Sequence, residues 1–459
     1  MTSLTRAALK AYAARVRPSY ESWLKRLDEI PTVSSDPARR DDVARGAAAA
    51  AELIASLGGR ARVVKTPGHP LVVGEFAGPK GAPTLTLYNH LDVQPADRAA
   101  EGWRTEPFAF TVRDGRYWGR GTTDDKGPAL SALFGVAAAH QAGVPATVKL
   151  LWETEEEIGS PHFEGALRKL GRAAATDAVV ISDGSWLTRK RPTVASGLRG
   201  FKGFRFTLET AEADAHSGIA GGAIRNPLAE LMDLACALHD AKTGRVRVPG
   251  FYDGIAKPTK KERADFLGSG FTVARFRKDN HVRLLRSTDA LEVMERLWTR
   301  PTFEVHGLAG GYQGPGLKSI VPARGELKVS CRLVPGQDPD RVARLVLAFA
   351  KKHNPDVVGE TTPGGAAASV WKTTGPLAAA VKASVAFGFG REPAFVRDGG
   401  SIGTVLLMEE VLACPVGFLD LSMPDHGYHA PNENFEWGQA AAGMAAFARL
   451  VEEWSRVRL

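Results

Sequence analysis

The chain is 459 residues long, more than one hydrophobic core usually supports, so two domains are expected. Hydrophobic residues at 44% and charged residues at 24% are ordinary for a globular protein. The formal net charge of +8 comes from scattered Lys and Arg, with no basic tract interleaved with aromatics, which excludes a nucleic-acid role. No segment has the apolar length needed to cross a bilayer, and the stretch from Met1 to Lys10 lacks a secretory signature, so a cytoplasmic enzyme away from membranes is expected. Cys236, Cys331 and Cys414 show no CxxC spacing and read as reduced core residues.

An amphipathic opening around Tyr20 to Ile30 leads to the turn Pro31-Thr-Val-Ser-Ser-Asp-Pro37, which caps an Ala-rich helix from about Arg39 to Leu57 that stops at Gly58-Gly59. Short β-rich runs follow at Ala61 to Lys65, Leu71 to Phe76 and Pro83 to Tyr88, the last delivering Asn89-His90-Leu-Asp92 at its C-terminal end. The turn-rich segment Asp114 to Gly127 precedes a long Ala-rich helix from Pro128 to about Ala142. The strand Thr147 to Trp152 ends at the acidic stretch Glu153-Thr-Glu-Glu-Glu-Ile-Gly-Ser160, a helix is expected from Pro161, and Ala178 to Ile181 ends at Ser182-Asp183. Strands alternating with helices, with acids or a His at strand ends, predict an α/β fold with a site along one sheet edge.

The texture changes near Gly197 to Gly203. Strands are predicted at Phe201 to Glu209, Thr302 to Val305, Gly325 to Val334 and near Val370, with helices at Asn226 to Ala241, Ala290 to Trp298 and Asp338 to His353. The Lys- and Arg-rich stretch Gly254 to Asn280 reads as a solvated loop or helix pair. This α+β region, 199–372, is expected as a domain inserted between two parts of the first, 1–198 and 373–459. The α/β texture returns from about Thr373 and ends in a helix from Trp437 to Ser455.

His90, Asp124, Glu157, Asp183 and His429 stand at predicted strand ends or in tight loops. Two imidazoles and three carboxylates suit a pair of divalent ions such as Zn, Mn or Co, with one carboxylate bridging. A two-metal site can activate water and polarise a carbonyl. Spread from His90 to His429, the five match no local zinc signature.

Six stretches in register, His90-Leu-Asp-Val-Gln-Pro95, Gly119-Arg-Gly-Thr-Thr-Asp-Asp-Lys-Gly127, Glu153 to Ser160, Ser182-Asp183, Asp214-Ala-His-Ser-Gly218 and His429-Ala-Pro-Asn-Glu433, resemble the M20 family of dinuclear metallopeptidases, in particular its dipeptidase and carboxypeptidase branch. The resemblance implies a catalytic domain with a central, mostly parallel sheet flanked by helices, and an inserted α+β, ferredoxin-like lid and dimerisation domain. It implies two divalent ions per chain, Zn first, with Mn or Co as alternatives. One ion would lie on His90, Asp124 and Asp183 and the other on Asp124, Glu157 and His429, with a cis peptide after the bridging Asp124. Glu156 matches the general base, Asp92 would fix the His90 tautomer, and Glu155 falls outside the matched pair. His216 would reach the active site of a partner subunit and stabilise the oxyanion, making a homodimer part of catalysis; its bland reading is a local helix cap. Arg332, Gly400 and Ser401 match positions that hold a substrate's free carboxylate, against a surface strand residue and a permissive turn.

The chain departs from the family pattern at Asn89, where a small Gly is common, at Tyr428, where an aliphatic is common, and at His426, where an acid is frequent. The remaining His residues, including His140, His162, His239, His306 and His353, read as structural or solvent-facing. The expected activity is hydrolysis of an amide next to a free C-terminal carboxylate, in a dipeptide or at the end of a short peptide. Deacylation of N-acyl amino acids is the alternative with the same chemistry, and a catalytically silent binding relative is the rival from another class. All five ligands and Glu156 are present, which weighs against the silent reading.

Overall fold

The computed structural model describes residues 4–362 and 364–458; Met1 to Ser3 of the N-terminal stretch lie outside the described residues. Helices α1 (Arg6–Asp28) and α2 (Arg40–Ser56) lead into β1 (Arg60–Val64), β2 (Leu71–Phe76) and β3 (Thr84–His90). Then come α3 (Lys126–Gln141), β4 (Thr147–Glu153), α4 (Phe163–Leu170), β5 (Ala178–Ile181) and β6 (Thr193–Leu198). The middle of the chain supplies β7 (Gly200–Glu209), α5 (Pro227–Leu238), α6 (Lys260–Gly268), α7 (Val273–Asp279), α8 (Ala290–Trp298), β8 (Thr302–Gly310), β9 (Arg324–Leu333), α9 (Pro339–His353) and β10 (Val358–Thr361). The last part holds β11 (Ser369–Val370), α10 (Pro376–Phe389), β12 (Ala394–Asp398), α11 (Thr404–Leu412), β13 (Val416–Phe418) and α12 (Trp437–Trp454).

The central sheet has the order β1-β2-β4-β3-β5-β13. Its four strands β4, β3, β5 and β13 run parallel, and β1 and β2 add antiparallel at one edge. β3 sits in the middle and is buried along six of its seven residues, as a parallel strand covered on both faces must be. From β3 the chain moves to β4 on one side and then to β5 on the other, so the sheet's order reverses beside the end of β3.

α3 is buried from Lys126 to Ala139, so it has no polar face and must lie inside the molecule. Its small residues let α12 come close. A Cβ built on Gly135 would meet the Met444 carbonyl oxygen at 2.6 Å, so only glycine fits there. Tyr12 and Tyr20 of α1 donate hydroxyls to the Phe134 and Gly127 carbonyls at 3.0 Å, tying the first helix to α3.

The second unit is a four-stranded antiparallel sheet in the order β8-β9-β7-β10. The chain order β7-α5-β8-β9-α9-β10 with that strand order is the ferredoxin-like arrangement. Phe204, Phe206, Leu231, Leu234, Val342 and Val346 belong to its own core. A three-stranded sheet, β11-β6-β12, stands beside the junction, and β6 runs into β7 with only Arg199 between them.

Four expectations need correction. α1 starts at Arg6 rather than near Tyr20, because Leu9, Tyr12 and Ala13 are buried on the same helix, which continues through Pro18. The strand expected at Thr302 to Val305, β8, continues to Gly310 through an irregularity between Val305 and Gly307. The stretch Gly254 to Asn280 does form a helix pair, α6 and α7, yet Phe266 is buried with Met294 and Trp298 against Ala394 and Val396 of β12. Among the three free cysteines, Cys331 is buried and Cys414 half-buried, but Cys236 is exposed on α5 and is no core residue. Among the described residues, no helix is long and apolar enough to cross a membrane.

The Gly135 contact yields a paired test. Ala is favoured over Gly in a helix by about 1 kcal/mol, and a Cβ on Gly165 of α4 would meet nothing within 4 Å. Gly165→Ala is therefore expected to raise the unfolding midpoint, whereas overpacking makes Gly135→Ala lower stability by about 1–3 kcal/mol. Thermal unfolding of both variants checks the opposite signs.

Candidate metal centre

Three neighbouring parallel strands deliver the site at their C-terminal ends. β3 ends in Asn89-His90, β4 ends at Glu153 just ahead of Glu156 and Glu157, and β5 ends just ahead of Asp183. Asp124 comes from the loop before α3, and His429 from the loop before α12. Gly121 turns the first of these loops at φ 99°, a backbone that L side chains rarely adopt. His429 itself holds φ 51°, and Asn432 holds φ 63°, left-handed values uncommon outside glycine.

Ligand atoms of His90, Asp124 and Asp183 lie within 4.8 Å of one another, and so do those of Asp124, Glu157 and His429. His90 Nε2 is 3.0 Å from Asp124 Oδ1 and 3.7 Å from Asp183 Oδ2. His429 Nε2 is 3.0 Å from Asp124 Oδ2 and 3.2 Å from Glu157 Oε2. Asp124 thus faces the two groups with different oxygens, as a bridging carboxylate would. The peptide between Asp124 and Asp125 is cis.

The electrostatics point to cations. Burial works to lower the His90 pKa, but Asp183 and Asp124 outweigh it and raise the imidazole well above its ordinary value. Asp124 and Glu157 push His429 up to about 10. Burial drives Asp183 up to about 6 and Glu156 well above the usual carboxylate range. Carboxylates crowded in this way, with imidazoles as the other donors, fit a pair of borderline divalent ions.

A second layer of contacts holds these groups. Asp92 accepts from the Glu157 and Glu156 N–H groups at 3.0 and 3.2 Å and from the Ser34 hydroxyl at 2.7 Å. His90 Nδ1 lies 3.0 Å from the Asp92 carbonyl and 3.5 Å from its carboxylate, so backbone and side chain both aim the ring. Gln94 donates to Glu157 Oε2 at 2.6 Å, and the Tyr428 hydroxyl donates to Asp183 Oδ1 at 3.0 Å. Asn89 donates to Asp125 Oδ2 at 2.7 Å and to the Ser182 carbonyl at 3.2 Å, so two of the departures from the family pattern, Asn89 and Tyr428, touch carboxylates of the site or beside it. Glu155 turns away to His162 and the His69 N–H. His426 is buried, accepts from the Met423 N–H at 3.0 Å and has its pKa pushed down to about 3 by burial, so it is a neutral structural acceptor.

Glu433 has the most consequential of these supporting roles. Fully buried, it accepts from the Thr123 and Asp124 N–H groups at 2.8 and 3.0 Å through Oε1. Through Oε2 it accepts from Arg120 at 2.9 Å and the Gly121 N–H at 3.0 Å. One carboxylate therefore clamps the loop that carries Asp124 to the loop that carries His429. The motifs contain Glu433 and Gln94 but give neither a role; their place four residues after His429 and His90 was the available signal.

Asp124, Glu156, Asp183, Tyr428 and His429 line a cavity of about 390 Å³ that is also lined by Arg332, Gly400 and Ser401. Arg332 donates to Ser401 Oγ at 2.9 Å, and Ser401 donates to the Arg199 carbonyl at 2.5 Å. The Arg332 guanidinium lies 5.2 Å from the Phe201 ring. His216 is exposed, outside this cavity, and accepts from the Gly218 N–H at 3.0 Å as a helix cap.

Replacing Glu433 by Gln puts an amide NH₂ against backbone donors and leaves Arg120 without its charge partner. Losing a group that orients metal ligands typically costs 10–100-fold in metal affinity or activity. Glu433→Gln is expected to fall in that range by metal titration of the folded variant; unchanged affinity would reject the clamp.

Comparison with known proteins supplies the family. The model for peptidase family M20/M25/M40 matches residues 86–453. The Cys-Gly metallodipeptidase of Schizosaccharomyces pombe is 31% identical over 466 residues, covering 96% of each chain. The solved structure of the dipeptidase Dug1p from Saccharomyces cerevisiae superposes with TM-score 0.87 at 29% identity, over 99% of this chain and 100% of that one. The M20 metallo-carboxypeptidase Sso-CP2 from Sulfolobus solfataricus does so with TM-score 0.85 at 28% identity, over 95% and 98%. With the motifs, the two donor groups sharing Asp124 and a family match over most of its length, the chain belongs to peptidase family M20/M25/M40.

Proposed function

We propose that this peptidase hydrolyses the amide of a dipeptide whose free C-terminal carboxylate is held beside the reacting bond. The observation that carries the reading is the shared cavity, which Glu156, Asp124 and His429 line together with the Arg332–Ser401 pair. Similarity to a metallodipeptidase along nearly the whole chain favours dipeptides. Similarity to a metallo-carboxypeptidase favours short peptides as the second reading. The named relatives lend no support to N-acyl amino acid deacylation.

His90, Asp124 and Asp183 would hold one ion, and Asp124, Glu157 and His429 the other. The mixed imidazole and carboxylate donors suit Zn first, then Mn or Co. When bound, two such ions polarise a carbonyl and make water nucleophilic at neutral pH. Glu156 takes a proton from the attacking water and passes it to the leaving amine. Asp92 keeps His90 and the Glu156–Glu157 backbone in place. Arg332 forks onto the substrate carboxylate, with Ser401 fixing the guanidinium and Gly400 leaving room beside it.

His216 serves the oxyanion in a second copy of the chain. Its exposure, and the exposure of Ile219 at 86% and Leu317 at 93% on neighbouring segments, support a homodimer built through the inserted domain. The domain division 1–198, 199–372 and 373–459 is supported by the separate core of the β7 to β10 sheet. Free cysteines throughout support a reducing, cytoplasmic location.

The test is a panel of dipeptides, C-terminally amidated dipeptides, longer peptides and N-acetyl amino acids, given to metal-stripped protein re-supplied with Zn, Mn or Co. Metal-dependent cleavage of free dipeptides is expected, at least about tenfold better than of their amides because the Arg332 contact is lost. Glu156→Ala is expected to lose about 10²–10⁴-fold in kcat with its metal content unchanged. Turnover of N-acetyl amino acids alone would overturn the substrate assignment, and near wild-type turnover in Glu156→Ala would overturn the base.

A further inference from the structure

A second cavity, of about 700 Å³, shares no lining residue with the metal centre. Its walls come from Arg199 at the β6–β7 junction, the turn at Thr243 to Arg245, the stretch Tyr252 to Pro258 and the end of α8 with the chain after it. The volume is in the range that accepts a small molecule.

Charge distinguishes this cavity. Seven Lys or Arg line it against two Glu. Glu295 pairs with Arg263 and Arg300, and Arg296 pairs with Glu292 just outside, which leaves Arg199, Arg245, Arg286 and Lys257 facing Glu304. The Arg199 donors go to the Gly399 and Arg296 carbonyls at 3.2 and 3.5 Å. Arg286 donates through Nη1 alone to the Ala241 and Lys242 carbonyls at 2.6 and 3.2 Å, and Arg245 lies over the Tyr252 ring at 5.3 Å. None of the three has a carboxylate partner among the described residues. Burial and Arg332 push Arg199 down to about 10 despite Asp398 and Glu304, the direction expected of a buried cation beside a like charge.

The adjoining segment repeats the signal. Residues 257–286 hold nine Lys or Arg against three Asp or Glu, a net +6 within a chain whose total is +8. Three of the nine, Lys257, Arg263 and Arg286, line the cavity itself, and a net positive lining raises the local concentration of anions. Guanidinium forks match phosphate oxygens in geometry, and three of them suit the three terminal oxygens of a phosphate monoester better than the two of a carboxylate. The space exceeds what a bare ion fills.

We propose that this cavity binds a phosphorylated small molecule, with the dianionic head of a phosphate monoester among Arg199, Arg245 and Arg286 and with Lys257 adding charge.

Isothermal titration of the metal-loaded enzyme with glucose 6-phosphate and with AMP tests the proposal, with glucose, adenosine and inorganic phosphate in parallel. At least one ester is expected to bind once per chain, its neutral counterpart not at all, and affinity should fall as salt rises. In Arg245→Ala/Arg286→Ala, whose peptidase activity reports its folding, ester affinity is expected to drop at least tenfold. Lys257→Glu, on the exposed Tyr252 to Pro258 stretch, should weaken binding in the same direction if the double variant does not fold. Binding of neither ester, or undiminished binding in these variants, would overturn the site. Inorganic phosphate binding as tightly as the esters and competing with them would overturn the monoester assignment.

Discussion

Buried negative charge at the ends of three parallel strands is the constraint on which the rest depends. Asp92, Asp125, Glu153 and Glu433 are almost completely out of water, and neutral or cationic donors reach each: backbone amides and Ser34 for Asp92, Asn89 for one oxygen of Asp125, Tyr88 with Ser160 for Glu153, and Arg120 with three amides for Glu433. Asp124, Asp183 and Glu157 are treated differently. Each has an imidazole beside it and no more than one neutral side-chain donor, so their charge is left for something else to neutralise. That division separates the carboxylates that brace the surrounding backbone from the three grouped with the imidazoles.

The fold makes such a concentration possible by fixing the backbone beneath it. β3, β4 and β5 pair along most of their length, so His90, the Glu156–Glu157 turn and Asp183 inherit the sheet's register. Asp124 and His429 sit on loops and need another device. Glu433 is that device, since its bonds to four donors make the two loops one unit. Beneath that unit, α3 and α12 pack at a distance only glycine permits at Gly135. Precision at the donors rests on close packing behind them.

Much of this was legible in the residues. The strand ends carrying His90 and Asp183 follow from short apolar runs broken by polar residues, and the motifs marked all five donors. What local patterns could not show was pairing between distant segments. The order β8-β9-β7-β10 depends on contacts far apart in sequence, and the burial of Phe266 against β12 is set by a partner more than a hundred residues on. The amphipathic opening around Tyr20 to Ile30 is only the second half of α1, which starts at Arg6, runs through Pro18 and packs on α3 through Tyr12 as well as Tyr20. Cys236 looked like core because its neighbours are apolar, but α5 turns that position to solvent. Glu433 was visible as a letter in a motif. Its role needed the facing loop.

The central claim is that Asp124 is shared by two ions, and elemental analysis of metal bound per chain tests it most directly. Wild-type protein loaded with Zn and freed of excess should carry two ions, and Asp124→Ala, which takes a donor from both groups at once, should carry fewer than one. Two ions retained by Asp124→Ala, or a single ion in the wild type, would contradict a bridged dinuclear centre at these five residues.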